Sequence, residues 1–93
     1  MVQIEVESAE HGEYYSLQVT VKEGRTKTEH RVILNKADYQ RLAGNKASPA
    51  ELVRASFLFL LEREPKESIL RSFNLTAISR FFPEYEREIG KRL

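Results

Sequence analysis

The stretch Ser48-Pro49-Ala50-Glu51-Leu52-Val53-Arg54-Ala55-Ser56-Phe57-Leu58-Phe59-Leu60-Leu61 decides the fold. It opens with a serine, a proline at the first helical position and a glutamate three residues after the serine, the signature of a capping box. A helix therefore begins at Pro49, and Pro65 limits it to about Glu62 or Arg63. Leu52, Val53, Phe57, Leu58, Phe59, Leu60 and Leu61 occupy more than one face of that helix, so a sheet on one side cannot cover it alone. The spacing predicts one long central helix held between a sheet and a tail that folds back over it.

Upstream of Ser48 the sheet is legible as alternation. Val2, Ile4 and Val6 alternate with Gln3, Glu5 and Glu7, and Tyr15, Leu17, Val19 and Val21 alternate with Ser16, Gln18, Thr20 and Lys22. A four-residue loop over Ala9-Glu10-His11-Gly12 would set Val6 opposite Tyr15 and Ile4 opposite Leu17. Gly24-Arg25 fits a two-residue type II′ turn, which places Val21 opposite Thr28, Val19 opposite His30, Leu17 opposite Val32 and Tyr15 opposite Leu34. Asn35 suits an N-cap for a short helix over Lys36 to Ala43, with Gly44 past its end. Beyond Pro65, Ile69, Leu70 and Phe73 suit one short helix, Leu75, Ile78, Phe81 and Phe82 another, and Tyr85, Ile89 and Leu93 a last one starting at Pro83. The expected architecture is a single α+β domain over residues 1–93. A three-stranded antiparallel β-meander is followed by a helical half, one long central helix plus short helices, packed on one sheet face.

The composition excludes several classes. At 93 residues one core is expected, and the absence of cysteine removes thiol catalysis, thiolate zinc sites and a disulfide scaffold. It also points to a reducing, cytoplasmic location. The N-terminal residues lack the basic and apolar regions of a secretory signal, and Phe57-Leu58-Phe59-Leu60-Leu61 falls far short of the roughly 20 apolar residues that span a bilayer. Fifteen basic against 14 acidic side chains leave a net charge of +1, which gives no global attraction to nucleic acid or anionic lipid.

No motif carries chemistry. His11 reads as a loop residue and His30 as a partly buried strand residue with a satisfied ring nitrogen, rather than as a ligand or base. The glycines at 12, 24, 44 and 90 are too scattered for a phosphate loop or dinucleotide fingerprint, so no cofactor and no metal are expected. Glu5, Glu7, Glu84, Glu86 and Glu88 read as solvated faces. The chain is therefore expected to be no enzyme.

Two features point to partners. The apolar surplus of Phe57, Phe59, Leu60, Phe81 and Phe82 marks a candidate interface with a second copy or another protein. The stretch from Glu67 to Arg80 has the pattern of a helix-turn-helix around Ser72-Phe73-Asn74, which would offer Arg71, Thr76, Ser79 and Arg80 to nucleic acid, with Lys66 and Arg63 nearby. That turn lacks its usual glycine. From Gly44 to Phe82 there are six basic and four acidic residues, a surplus of two that is thin for phosphate binding. Protein interaction is the favoured expectation, and nucleic-acid binding the alternative.

The second half, from Ser48-Pro49-Ala50-Glu51-Leu52-Val53-Arg54 through Phe57-Leu58-Phe59-Leu60-Leu61-Glu62-Arg63-Glu64-Pro65-Lys66-Glu67-Ser68-Ile69-Leu70 to Phe82-Pro83-Glu84-Tyr85-Glu86, resembles a family of small uncharacterised prokaryotic proteins of unknown function. The resemblance implies a free-standing cytoplasmic protein and no particular activity or site.

Overall fold

Strand alternation upstream and apolar crowding in the middle of the chain resolve into one mixed sheet with helices on one of its faces, in a computed structural model that describes residues 1–93. The strands are β1 (Val2–Glu10), β2 (Tyr14–Glu23), β3 (Thr26–Asn35) and β4 (Ser72–Asn74), in the spatial order β1-β2-β3-β4. The helices are α1 (Lys36–Leu42), α2 (Pro49–Leu61), α3 (Ile78–Phe81) and α4 (Tyr85–Arg92), with 3-10 turns at Lys66–Ser68 and Leu75–Ala77. The Cα radius of gyration, 12.3 Å, matches the about 12 Å expected of a compact chain of this length, so the tail is folded onto the body.

The β2–β3 hairpin has the expected register, with Val21 opposite Thr28, Val19 opposite His30, Leu17 opposite Val32 and Tyr15 opposite Leu34. Gly24 supplies the positive φ of +61° that the first turn position demands. The first hairpin departs from expectation: Val6 faces Val19 and Ile4 faces Val21, with Glu10 opposite Tyr15. The loop closes later, where the His11 N–H donates to the Tyr14 carbonyl, so β1 runs on through Ser8, Ala9 and Glu10. The shift is four residues, an even number, and every side chain keeps its face.

The sheet has four strands rather than three. β4 joins β3 in parallel, with Val32 paired to Phe73, and the connection runs through α1 and α2 as a parallel crossover requires. The helix expected around Ile69, Leu70 and Phe73 is therefore extended chain. β3 presents an open edge there, and its partners win: the Arg31 N–H donates to the Arg71 carbonyl, and the buried His30 ring bonds the Leu70 carbonyl. So short a segment gains more from those bonds than from an isolated helical turn.

The long central helix is also revised. α2 has 13 residues, an ordinary length, and is one of four helices. Both halves of the capping box form, Glu51 N–H to Ser48 Oγ and Ser48 N–H to a Glu51 carboxylate oxygen. The helix ends at Leu61, where the Glu62 N–H turns to the Leu58 and Leu60 carbonyls ahead of Pro65. Asn35 precedes α1 without a side-chain cap; Lys36 N–H bonds the Glu13 carbonyl instead.

Two faces of α2 are buried against different layers. Phe57 lies edge-on to His30 at 5.2 Å and near Phe73 at 6.0 Å, on the sheet side. Phe59 meets Phe82 at 5.9 Å and Tyr85 at 5.3 Å, on the side of the tail. Residues two apart on a helix point about 200° from each other, so both layers are needed to cover them. The core is completed by Leu17, Val19, Val21, Val32 and Leu34 from the sheet and by Leu75, Ile78 and Ile89 from the tail. The opposite sheet face, carrying Glu5, Glu7, Ser16, Gln18, Lys27 and Glu29, has no helix over it. No helix is long and apolar enough to cross a membrane.

Candidate interaction groove

Where the end of α2, the extended segment before β4 and α3 converge, the fold leaves an apolar groove. Leu60, Ile69 and Ile78 form its nearly buried floor, and Phe73, Ala77 and Phe82 line it further out. Leu70 and Phe81 stand at the rim with 51% and 65% of their surface exposed, and Glu64 and Ser68 are the polar residues of the lining. Its volume is about 170 Å³. A cavity of about 150 Å³ accepts a benzene ring, so the groove has the capacity for one phenyl side chain.

The local fold explains why these residues meet. Pro65 and the turn at Lys66–Ser68 redirect the chain after α2. Lys66 is buried, and its ammonium pairs with Glu67 at 2.8 Å and Glu23 at 3.8 Å, which ties this turn to the end of β2. His30 then holds the Leu70 carbonyl at 2.7 Å, so the extended backbone between Ile69 and Arg71 is fixed and alternate side chains diverge: Ile69 points in and Leu70 out. A carbonyl can only accept, so Nδ1 carries the proton and Nε2 accepts from the Thr28 hydroxyl at 2.8 Å. Burial holds the His30 pKa below the usual value, against the pull of the Leu70 bond and with help from the Arg71 charge. At neutral pH the ring is an uncharged bracket for the groove wall.

Charges around the groove are of two kinds. Arg63 packs over the Phe59 ring at 3.6 Å and bonds the Phe59 carbonyl and the Glu84 carboxylate, and Glu62 is held by Arg92. Those charges are committed within the chain. Glu64 has neither a hydrogen bond nor an ion pair from its carboxylate, and desolvation beside the apolar lining raises its pKa. Arg71 and Arg80, next to Leu70 and Phe81 in the chain, are likewise exposed and unpaired.

The residues singled out from the sequence separate. Phe57 and Phe59 are fully buried core and offer no docking surface, because the sheet and the tail claim one each. Leu60 is buried but forms part of the groove floor, Phe82 is half-buried on its wall, and Phe81 projects from its rim. Glu64, Ser68 and Ala77 were not expected there; they come together only through the turn after Pro65. The helix-turn-helix is absent, since Ile69 to Arg71 is non-helical and Ser72 to Asn74 forms β4. Thr76 is half-buried, and both its N–H and hydroxyl bond the Asn74 side-chain oxygen, at 3.0 and 2.8 Å, capping the turn. Ser79 is half-buried and reaches Glu86 at 3.5 Å. Of that set only Arg71 and Arg80 are free, and they sit on different elements rather than along one recognition helix.

The open sheet face has a second, shallower hollow. Ala9 and Ser16 are paired on its floor, and Glu7, Gln18 and Arg31 lie to one side with His11 and Tyr14 on the other. His11 stacks on Tyr14 at 4.6 Å, and its Nε2 hydrogen bonds Ser16 Oγ at 2.8 Å. No carboxylate orients the other ring nitrogen, so the third member of a Ser–His nucleophile system has no counterpart. No cluster of three or more His, Cys, Asp or Glu side chains converges to hold a metal ion. Compared with family models, curated proteins and solved structures, the chain matches none.

Proposed function

We propose that the protein is a non-enzymatic cytoplasmic interaction module that acts as a homodimer, the groove of each copy receiving Phe81 of the other. The observation that carries this reading is an unfilled apolar groove with room for one phenyl ring and an exposed phenylalanine on its own rim. A knob beside a hole is self-complementary under a two-fold axis, which is how most homodimers associate. The nearby charges are compatible with the same arrangement: Glu64 in the lining and Arg71 and Arg80, beside rim residues Leu70 and Phe81 in the chain, have no partner within the chain and are available to pair between copies. Exposed Leu70 widens the apolar contact around the ring.

Sedimentation equilibrium from micromolar to millimolar protein tests this. The native chain is expected to dimerise, and Phe81→Asp to remain monomeric with its melting temperature nearly unchanged, because a side chain so exposed contributes little to the monomer core. A native chain that stays monomeric throughout, or a Phe81→Asp variant that dimerises equally well, overturns the reading.

A further inference from the structure

The hydrogen-bond phase of the sheet exposes a second surface. His11 and Tyr14 are an antiparallel pair joined by the His11 N–H to Tyr14 carbonyl bond, 2.8 Å. Hydrogen-bonded pairs recur at every second residue, so Gln3, Glu5, Glu7 and Ala9 direct their backbone groups to β2. Val2, Ile4, Val6, Ser8 and Glu10 direct theirs away from the sheet. The same phase carried through β2 and β3 makes the odd residues of β3 face β4, which is where the Arg31 N–H to Arg71 carbonyl bond lies. β1 is the outermost strand, and none of its outward groups bonds any other part of the chain.

A nine-residue free edge is unusual unless something blocks or fills it. β1 has no proline, no lysine and no bulge in its pairing with β2. On the outer face it carries Glu7, which is unpaired, and Glu5, held only by exposed Lys22 at 3.4 Å, with Glu10, paired with Lys36, at its end. On the inner face Ile4 is buried while Val2 and Val6 are only half-covered. A second copy is disfavoured in the registers of greatest overlap: centred on Val6 an antiparallel partner sets Glu5 against Glu7, and centred on Glu5 or Glu7 it sets each against itself.

We propose that the β1 edge receives an extended segment of another protein that alternates lysine or arginine with apolar residues and adds as a fifth strand. The basic side chains lie over Glu5 and Glu7, and the apolar ones shelter the open flanks of Val2 and Val6. Backbone bonds to Val2, Ile4, Val6 and Ser8 supply the binding, and the alternation supplies the selectivity.

Amide hydrogen exchange of the full chain, measured by NMR with a capped peptide alternating lysine and valine, tests this. The amides of Ile4, Val6 and Ser8 are expected to slow roughly tenfold or more, and those of Glu5 and Glu7, already bonded to β2, to change little. A peptide of equal composition with its lysines and valines in separate blocks should produce no such pattern. Val6→Pro removes an outward N–H without touching the β1–β2 bonds, and the double variant Glu5→Lys, Glu7→Lys reverses the exposed charge; both are expected to abolish the protection. Equal slowing by the block peptide, no slowing at the even-numbered residues, unchanged binding by the charge-reversed chain, or protection of the edge by the chain alone each overturns the proposal.

Discussion

Replacing His30 by leucine tests how the groove wall is built. The ring is 1% exposed, donates from Nδ1 to the Leu70 carbonyl at 2.7 Å and accepts at Nε2 from Thr28 at 2.8 Å. Leucine keeps an apolar contact with Phe57 but leaves the Thr28 hydroxyl and the Leu70 carbonyl without partners. Each stranded group costs about 1–3 kcal/mol, with the part-buried carbonyl toward the lower end, so the total is about 3 kcal/mol. A domain of this size has about 5–14 kcal/mol of stability in all, and at a urea m-value of about 1–1.5 kcal/mol/M the midpoint should fall by about 2–3 M. The loss should depend on pH. Because His30 titrates lower in the folded chain than in the unfolded one, the unfolded chain binds the proton more readily. Its stabilising contribution is complete above about pH 6.5 and is lost as the pH falls toward the depressed folded value. Urea melts at pH 7.5 and 5 should therefore show the native chain weakening toward the leucine variant, whose own midpoint changes less. The carboxylates with lowered pKa values, Glu10, Glu51, Glu62, Glu67 and Glu84, lose their contributions only at more acidic pH. A variant within about 0.5 kcal/mol of the native chain at pH 7.5, or one with the same loss between the two pH values, would refute the bracket role.

Three further changes separate other parts of the structure. The Tyr85 hydroxyl, buried and held well above its usual pKa by desolvation, donates to Ser56 Oγ at 2.6 Å, and Ser56 donates on to the Leu52 carbonyl. Ser56→Ala strands that hydroxyl and should cost about 1–3 kcal/mol in chemical denaturation, whereas Tyr85→Phe, which leaves Ser56 its carbonyl partner, should cost about 1 kcal/mol. Ser48→Ala removes the α2 cap and should cost about 1 kcal/mol, read as a lower melting temperature by circular dichroism. Glu64→Gln should raise the melting temperature of the monomeric Phe81→Asp background at neutral pH, since the folded chain resists ionising this residue; the gain should shrink as the pH falls through the raised folded value toward that of the unfolded chain, and a gain that grows on acidification would contradict it.

The parts of the fold legible in the sequence are those governed by neighbours in the chain. Gly24 announces its own turn, and with it the whole β2–β3 register; Ser48, Pro49 and Glu51 announce the start of α2. The first hairpin was placed four residues off because Ser8, Ala9 and Glu10 have little apolar signal, although an exposed edge strand needs none. β4 is three residues long with one apolar side chain, and it exists because β3 offers an unfilled edge, a condition visible only in three dimensions. The groove follows from β4. With Ile69, Leu70 and Phe73 on a short helix, Glu64 and Ser68 have no reason to meet Phe81 and Phe82. Two adjacent phenylalanines just ahead of Pro83 are still a usable signal, since neighbours at the end of so short a helix point apart and are not buried together, and Phe81 is the one left outside.

The most direct test of the dimer proposed through this groove exploits the absence of cysteine from the chain. Glu64→Cys and Arg80→Cys variants, prepared separately, mixed in equal amounts and oxidised, should form a crosslinked heterodimer well beyond the twofold excess over either homodimer that random pairing gives, if in the proposed dimer each copy's Glu64 lies against the other's Arg80. Crosslinks in statistical proportions, or none under conditions where the thiols are accessible, would contradict that arrangement.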